Sequence, residues 1–233
     1  MKKTLMLFIF LCVSVFSLKS QNNEISLNTG IHYDIFHIAN DGGNVKPAIM
    51  APLVKLSYNR YFLNNTFIST GIGFHNYYSL AIKIKNFGLF DSKWGYSYND
   101  AYLTTFVPVY YGYKFDLTKK LHLLLSMGFD TEFYFYESIG DSGGSGVNDN
   151  EFAVTHEKLY NRFNLLLGNE VLVKYQNDKG FGVGLFASYH AGIFRVFESS
   201  GKLSYDGGET VYYPEFVTNG SYFATGFSLS KAF

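Results

Sequence analysis

Residues 121–135 read LHLLLSMGFDTEFYF. Leu121, Leu123, Leu125, Met127, Phe129, Phe133 and Phe135 share one parity, while His122, Ser126, Gly128, Asp130 and Glu132 share the other. A period of two sends these sets to opposite faces of an extended strand. One face is aliphatic and aromatic; the other carries ionisable groups beside small residues. The stretch is also longer than the roughly 9 to 11 residues with which a tilted strand crosses hydrocarbon.

Seven other stretches repeat the pattern. In 24–36, Ile25, Leu27, Ile31, Tyr33 and Ile35 oppose Ser26, Asn28, Gly30, His32 and Asp34. Over about 50–61, Val54, Leu56 and Tyr58 oppose Lys55, Ser57 and Asn59. Over about 66–80, Ile68, Ile72, Phe74, Tyr78 and Leu80 oppose Ser69, Gly71, Gly73, His75 and Tyr77. The fourth, 102–115, puts Leu103, Val107, Val109, Tyr111 and Tyr113 on its apolar face. In 159–175, Phe163, Leu165, Leu167, Val171 and Val173 oppose Arg162, Asn164, Gly168, Glu170 and Lys174. In 181–197, Phe181, Val183, Leu185, Ala187, Tyr189 and Ile193 oppose Gly182, Gly184, Ser188, His190 and Gly192. The chain ends on SYFATGFSLSKAF, with Phe223, Phe227, Leu229 and Phe233 opposite Tyr222, Ala224, Gly226, Ser228 and Ser230.

The connections alternate in length. Short turns fall at 63–65, 116–120 and 176–180, and long polar loops at about 37–49, 81–100, 138–158 and 198–219. An even number of strands with short turns at one end and long loops at the other is the layout of an outer-membrane barrel. The expected fold is all-β, an eight-stranded antiparallel up-and-down transmembrane β-barrel with both termini on the periplasmic side.

The first 20 residues are expected to be a cleaved signal peptide. MKK supplies the positive start, TLMLFIFLCVSVF the apolar run and SLKSQ the small residues, with cleavage between Ser20 and Gln21. Residues 21–233 then form one barrel domain, and Cys12 leaves with the leader. The mature chain has no cysteine for a disulfide, a thiol nucleophile or a thiolate metal site. Charged residues are only 16% of the sequence, aromatics reach 19%, and formal net charge is zero. A balanced charge supplies no electrostatic footprint for nucleic acid.

A soluble lipocalin-like barrel shares the period but turns its apolar face inward. Here the second face mixes Asp34, Lys55, Asp130, Glu132, Arg162, Glu170 and Lys174 with Gly, Ser and Asn, as a narrow lumen requires. A water-facing sheet would carry fewer glycines. Aromatics gather at strand ends: Tyr61, Phe62, Tyr113, Phe115, Tyr175 and Phe181 at one, Tyr33, Tyr77, Tyr78, Tyr134 and Phe197 at the other. Two such girdles mark the interfaces of a bilayer. An open sheet edge is untenable in hydrocarbon, so the last strand must pair with the first. No periplasmic domain is expected beyond it.

The terminal strand, with alternating aromatics and a final Phe233, resembles the assembly signal of outer-membrane proteins. That resemblance implies recognition by the barrel-assembly machinery. The leader, the YLTTFVPVYYGYKF strand and the GVGLFASYH strand together resemble the small outer-membrane β-barrel (PorT-like) families over nearly the whole mature chain. Thr-Thr-Phe-Val before Pro108 departs from their usual pattern. The resemblance implies an outer-membrane location in a Gram-negative cell, in contact with outer-membrane lipid.

Candidate chemistry is sparse. His32, His75, His122 and His190 fall on the lumen face, and His32, His75 and His190 share its extracellular half with Asp34. Such a set suits a metal site or a general base with its orienting partner. It carries no spacing motif, and ordinary hydrogen-bonded lumen histidines are the simpler reading. A lipid hydrolase would need Ser and His on the lipid face, which is almost wholly apolar. GFGVG at 180–184 lacks the helix of a phosphate loop. No catalytic, cofactor-binding or metal residues are assigned, and no cofactor is expected.

Glu132 and Arg162 are expected to pair across the 138–158 loop, with Asp130, Glu170, Lys55 and Lys174 completing a closed, charge-paired interior. The acidic, glycine-rich 137–151 segment is expected to be mobile. Trp94, Tyr96, Tyr98, Tyr212 and Tyr213 point outward on the loops, to cover the mouth or to meet a protein, glycan or lipopolysaccharide. The expected role is structural or interactive, through long extracellular loops and an unidentified partner. Alternatives are a narrow, porin-like pore for small solutes and a secreted soluble barrel for an apolar ligand.

Overall fold

A computed structural model describes residues 23–42, 45–47, 51–62, 64–78, 81–85, 94–98, 101–135, 145–147, 150–205 and 208–233 of the chain. The expected leader (residues 1–20, with Cys12) and most of 137–151 lie outside these residues. The elements are β1 (Asn23–Asp34), β2 (His37–Ala39), β3 (Val45–Pro47), β4 (Ala51–Tyr61), β5 (Thr66–Tyr78), β6 (Ala81–Lys85), β7 (Trp94–Tyr98), β8 (Ala101–Asp116), β9 (Leu121–Phe135), β10 (Ser145–Val147), β11 (Asn150–Leu159), β12 (Phe163–Gln176), β13 (Phe181–Gly192), β14 (Phe197–Tyr205), β15 (Thr210–Tyr212), β16 (Glu215–Thr218) and β17 (Tyr222–Ala232).

Eight of them close a barrel in the order β1, β17, β13, β12, β9, β8, β5, β4. All barrel pairs are antiparallel, and the last strand meets the first with Glu24 opposite Ala232 and Asp34 opposite Tyr222. Asn23 and Phe233 exchange backbone hydrogen bonds at 3.1 and 2.9 Å, so the seam is zipped to its end. The polarity is that of a membrane barrel. Leu27, Leu56, Phe74, Val109, Met127, Leu185 and Phe227 are all exposed on the outer face, whereas Ser26, Lys55, His75, Asp130 and Glu132 are buried inside.

The register fixes the geometry. Stepping across facing residues from Glu24 leads through Asn59, Ser69, Tyr110, Gly128, Gly168, His190 and Tyr222 to Asp34, ten residues further along β1. The offset must be even, because an odd one would turn a lumen residue outward at the seam. With ordinary strand spacings, this stagger tilts the strands by roughly 40°. The β5–β8 ladder is interrupted opposite Pro108, which has no N–H to donate.

The tight turns join β4 to β5, β8 to β9 and β12 to β13, as the sequence predicts. Each is held by a local side chain. Asn64 Oδ1 accepts from Thr66 Oγ1 at 2.6 Å, Thr118 Oγ1 from the Leu121 amide at 3.0 Å, and Asn177 Oδ1 from the Phe181 amide at 3.0 Å. Gly180 closes its turn at φ +78°, a conformation costly for other residues. Exposed Lys120 donates to Asp178 at 2.8 Å, and that hydrogen bond and charge raise its ammonium pKa.

The long connections differ from the loops expected of them. A six-stranded sheet runs β10, β11, β14, β16, β2, with β15 on β14, and a second sheet runs β3, β6, β7. The first continues the barrel order: β11, β14, β16 and β2 follow from β12, β13, β17 and β1. Tyr160 donates to the Val196 carbonyl at 2.8 Å where the two ladders join. That join explains why the sixth and seventh strands are shorter than expected, starting at Phe163 and ending at Gly192. The connections thus build a wall over one half of the barrel.

The seam yields a test. A Cβ on inward-facing Gly30 would lie 2.1 Å from the Thr225 carbonyl oxygen and 2.8 Å from Gly226 Cα, backbone atoms that cannot rotate away. Gly30→Val should destabilise the barrel by about 1–3 kcal/mol. Leu27→Ile on the outer face of the same strand should shift stability by less than about 0.5 kcal/mol. Urea unfolding of the refolded protein in lipid vesicles checks both.

Candidate functional site

Lumen-facing side chains from all eight strands fill the interior in two polar layers around an apolar waist. In the lower layer, Lys174 is ion-paired with Glu24, which also accepts from Asn59 Nδ2 at 3.2 Å and Tyr61 Oη at 3.4 Å. Lys55 is ion-paired with Glu170. β4 and β12 stand opposite each other in the barrel order, so the Lys55–Glu170 pair spans the lumen. Leu53, Phe67, Phe106, Leu124, Leu166, Leu172 and Phe186 pack as one buried cluster. Glycines make room for the large rings: a Cβ on Gly73 would meet the Phe106 ring at 2.1 Å, and one on Gly168 the Tyr110 hydroxyl at 1.9 Å.

The upper layer gathers three histidines around Tyr222. His75 Nε2 lies 3.1 Å from Glu132 Oε1, and Tyr134 donates to the other carboxylate oxygen at 2.5 Å. His190 Nδ1 lies 2.5 Å from Asp130 Oδ2, with Ser188 Oγ 2.9 Å from its other nitrogen. The ring nitrogens of His32 face Asp34 Oδ1 at 3.1 Å and the Asn76 carbonyl at 2.8 Å. Tyr222 stacks on His190 with centroids 4.2 Å apart and packs against His75 at 5.2 Å and His32 at 5.5 Å. Tyr222, Asp130 and Glu132 are wholly buried. Three carboxylates thus meet three imidazoles, and among the described residues no lysine or arginine pairs with them.

The sequence pattern placed His32, His75, His190 and Asp34 at one level, and the structure brings them together. Strands far apart in the chain are brought near by the narrow bore. His122 stays apart, near the turns, with Nδ1 2.6 Å from Asp116 Oδ1. The expected Glu132–Arg162 pair does not form. Arg162 precedes β12 and is exposed, and Asn164 takes the position opposite Glu132. Tyr61, Tyr134 and Phe197, expected in the girdles, are buried, because their parity or position in the wall turns them inward. Phe62, Tyr113, Phe115, Tyr175 and Phe181 are exposed at the turn end, as expected. The side chains of Tyr77, Tyr78, Trp94, Tyr96 and Tyr98 lie outside the described residues. Tyr213 is exposed, and Tyr212 packs toward Tyr205 at 6.2 Å.

Little space remains. An interior cavity between Asn28, Lys55, Ser57, Ser69, Tyr110 and Glu170 is about 20 Å³, room for a single water. Above the upper layer, Tyr134, Val196 and Phe197 form a buried cluster with Phe36 and Leu159 against it. Asn164 donates to the Asn219 carbonyl at 2.8 Å, and Asn219 to the Gly192 carbonyl at 2.7 Å, tying the rim between β12, β13 and β17. Among the described residues, no group of three or more His, Cys, Asp or Glu is arranged to hold a metal ion.

Known structures share this architecture. OprG, an outer membrane protein from Pseudomonas aeruginosa, aligns with a TM-score of 0.53 at 12% identity over 91% of this chain and 96% of its own. A major outer membrane protein from Thermus thermophilus aligns at 0.46 and 11% identity, over 91% of this chain and 99% of its own. Ail, the attachment invasion locus protein of Yersinia pestis, aligns at 0.39 and 10% identity, over 90% and 99%. No family model and no curated protein matches the sequence, so the likeness is one of fold. The decisive observation is the chain's own apolar belt around an interior of polar and ionisable side chains. This protein is an outer-membrane β-barrel.

The buried pairs can be tested singly. Lys174→Met leaves Glu24 charged and unpaired beneath the apolar waist and should cost about 3–5 kcal/mol. The double variant Lys174→Met/Glu24→Gln removes both charges and should recover most of that loss. Urea midpoints of the four proteins in the cycle, compared in vesicles, give the coupling.

Proposed function

We propose that this protein is a closed, non-catalytic barrel whose work is done by the extracellular wall, through contact with a partner outside the cell. The filled lumen carries this reading: among the described residues, two ion pairs, an apolar waist and a ring-packed histidine layer occupy the bore. A pore of fixed conductance needs a continuous aqueous path, and a lipocalin-like carrier needs an apolar cavity.

What supports a role for the wall is its order. β11, β14, β16 and β2 extend the barrel strands as a paired sheet, with Phe197, Leu203 and Phe216 buried. A surface pre-organised in this way loses less entropy on binding than a free loop does. The absence of an enzyme is inferred from accessibility: the four lumen histidines are at most 6% exposed, out of reach of a substrate. In the same reading, residues 1–20 are a leader for export in a Gram-negative cell. The β17 strand, with Phe233 directly after it, is the segment offered to the barrel-assembly machinery.

Planar-bilayer recording of refolded residues 21–233 tests the closed lumen. The expected result is insertion, seen as protease protection of the barrel, without unitary currents. Steady single-channel currents would overturn the reading and make the Lys55–Glu170 pair part of a conduction path.

A further inference from the structure

Outward positions well inside the two aromatic girdles hold aliphatic, aromatic, small or hydroxyl side chains, with one exposed exception among the described residues; the other outward amide, Asn76, is half-buried near the extracellular end of β5. Asn169, on β12, is exposed on the lipid face. Phe163 and Tyr175 mark the girdles on the same strand, at 43% and 48% exposure, and Asn169 lies six residues from each. At about 3.3 Å per residue and the strand tilt found here, six residues rise about 15 Å, half the hydrocarbon thickness. The amide therefore sits at the bilayer midplane.

Hydrocarbon offers that amide nothing. Its donors and acceptor have no hydrogen-bond partner among the described residues of the chain, and leaving them bare in lipid is unfavourable. Threonines on the same face can turn their hydroxyls to a neighbouring carbonyl, as Thr225 does to Phe186 at 2.9 Å. The longer amide points away from its strand. Opposite it stand Met127 and Tyr189, and β13 presents Ala187 and Ala191 alongside. Small residues permit close approach of a second backbone, and a methionine adapts to the facing surface.

We propose that two copies of this protein pair in the membrane through β12, each Asn169 amide donating to and accepting from the Asn169 of the other copy. A side chain that is at once donor and acceptor satisfies its own image across a two-fold axis, so the contact is isologous and closes at two subunits. Both copies keep the same orientation in the bilayer, with the axis along its normal. The pairing is independent of what the extracellular wall binds.

Cross-linking in native outer membranes tests it. Met127→Cys places a thiol beside the proposed axis and keeps Asn169. Leu56→Cys places one on β4, at the opposite side of the barrel. With a short bis-maleimide, the Met127→Cys protein should give a dimer-sized product in large excess over the Leu56→Cys protein. Adding Asn169→Leu to Met127→Cys should reduce that product at least several-fold, while heat-dependent gel migration shows the barrel still folded. Equal products from the Met127 and Leu56 variants would overturn the proposal. So would a product of another mass, or a dimer indifferent to Asn169→Leu.

Discussion

Every backbone N–H and C=O inside hydrocarbon must find its partner within the protein, and the β1–β17 seam is where this chain meets that demand. The rest follows from how the seam closes. Eight strands joined with a ten-residue offset give a bore so narrow that opposing side chains touch. Burial of charge is then unavoidable wherever the inward parity carries an ionisable residue. The Lys55–Glu170 and Lys174–Glu24 pairs across the lumen are a consequence of closure, since no isolated ammonium or carboxylate could remain there charged.

The same narrowness explains the upper layer. His32, His75 and His190 come from strands separated in the chain, yet the offset lifts them to one level, where Tyr222 fills the centre. His75 is hydrogen-bonded to Glu132, His190 to Ser188 and Tyr110, and His32 to the Asn76 carbonyl, while Tyr222 stacks on His190. Glycines at 73 and 168 are the complement of this packing, because the rings of Phe106 and Tyr110 occupy the space their side chains would take. A wider barrel would hold the same residues apart; here they pack against one another across the bore.

Parity made the barrel legible in the sequence. Alternation identified the eight strands and the face of nearly every residue, and the three short turns marked one end. What it could not supply was anything depending on the third dimension. Pairing Glu132 with Arg162 assumed that adjacency in register implies contact, but Arg162 lies beyond the strand, where water solvates it better than the lumen would. Tyr61 and Tyr134 were aromatic and near strand ends, which looked like a girdle; their parity pointed inward, and the buried carboxylates of Glu24 and Glu132 hold their hydroxyls. The wall was hidden because its strands are short and polar, and their pairing depends on barrel neighbours distant in sequence. Asn169 breaks the apolar outward face of β12, but alternation alone does not give its depth, and it was not singled out from the sequence.

With the lumen closed as proposed, two surfaces remain through which this protein would act, and both lie on the same side of the barrel. The wall grows from β12, β13, β17 and β1, while the midplane amide and the small residues beside it belong to β12 and β13. The proposed contact between copies along that face would set their walls side by side above the membrane, related by the two-fold axis. A partner with matching repeats would then meet two sites whose spacing is fixed by rigid barrels, and binding at the second costs less than at the first. The packed interior contributes to this even though it touches no partner, because stiff barrels are what hold the spacing constant.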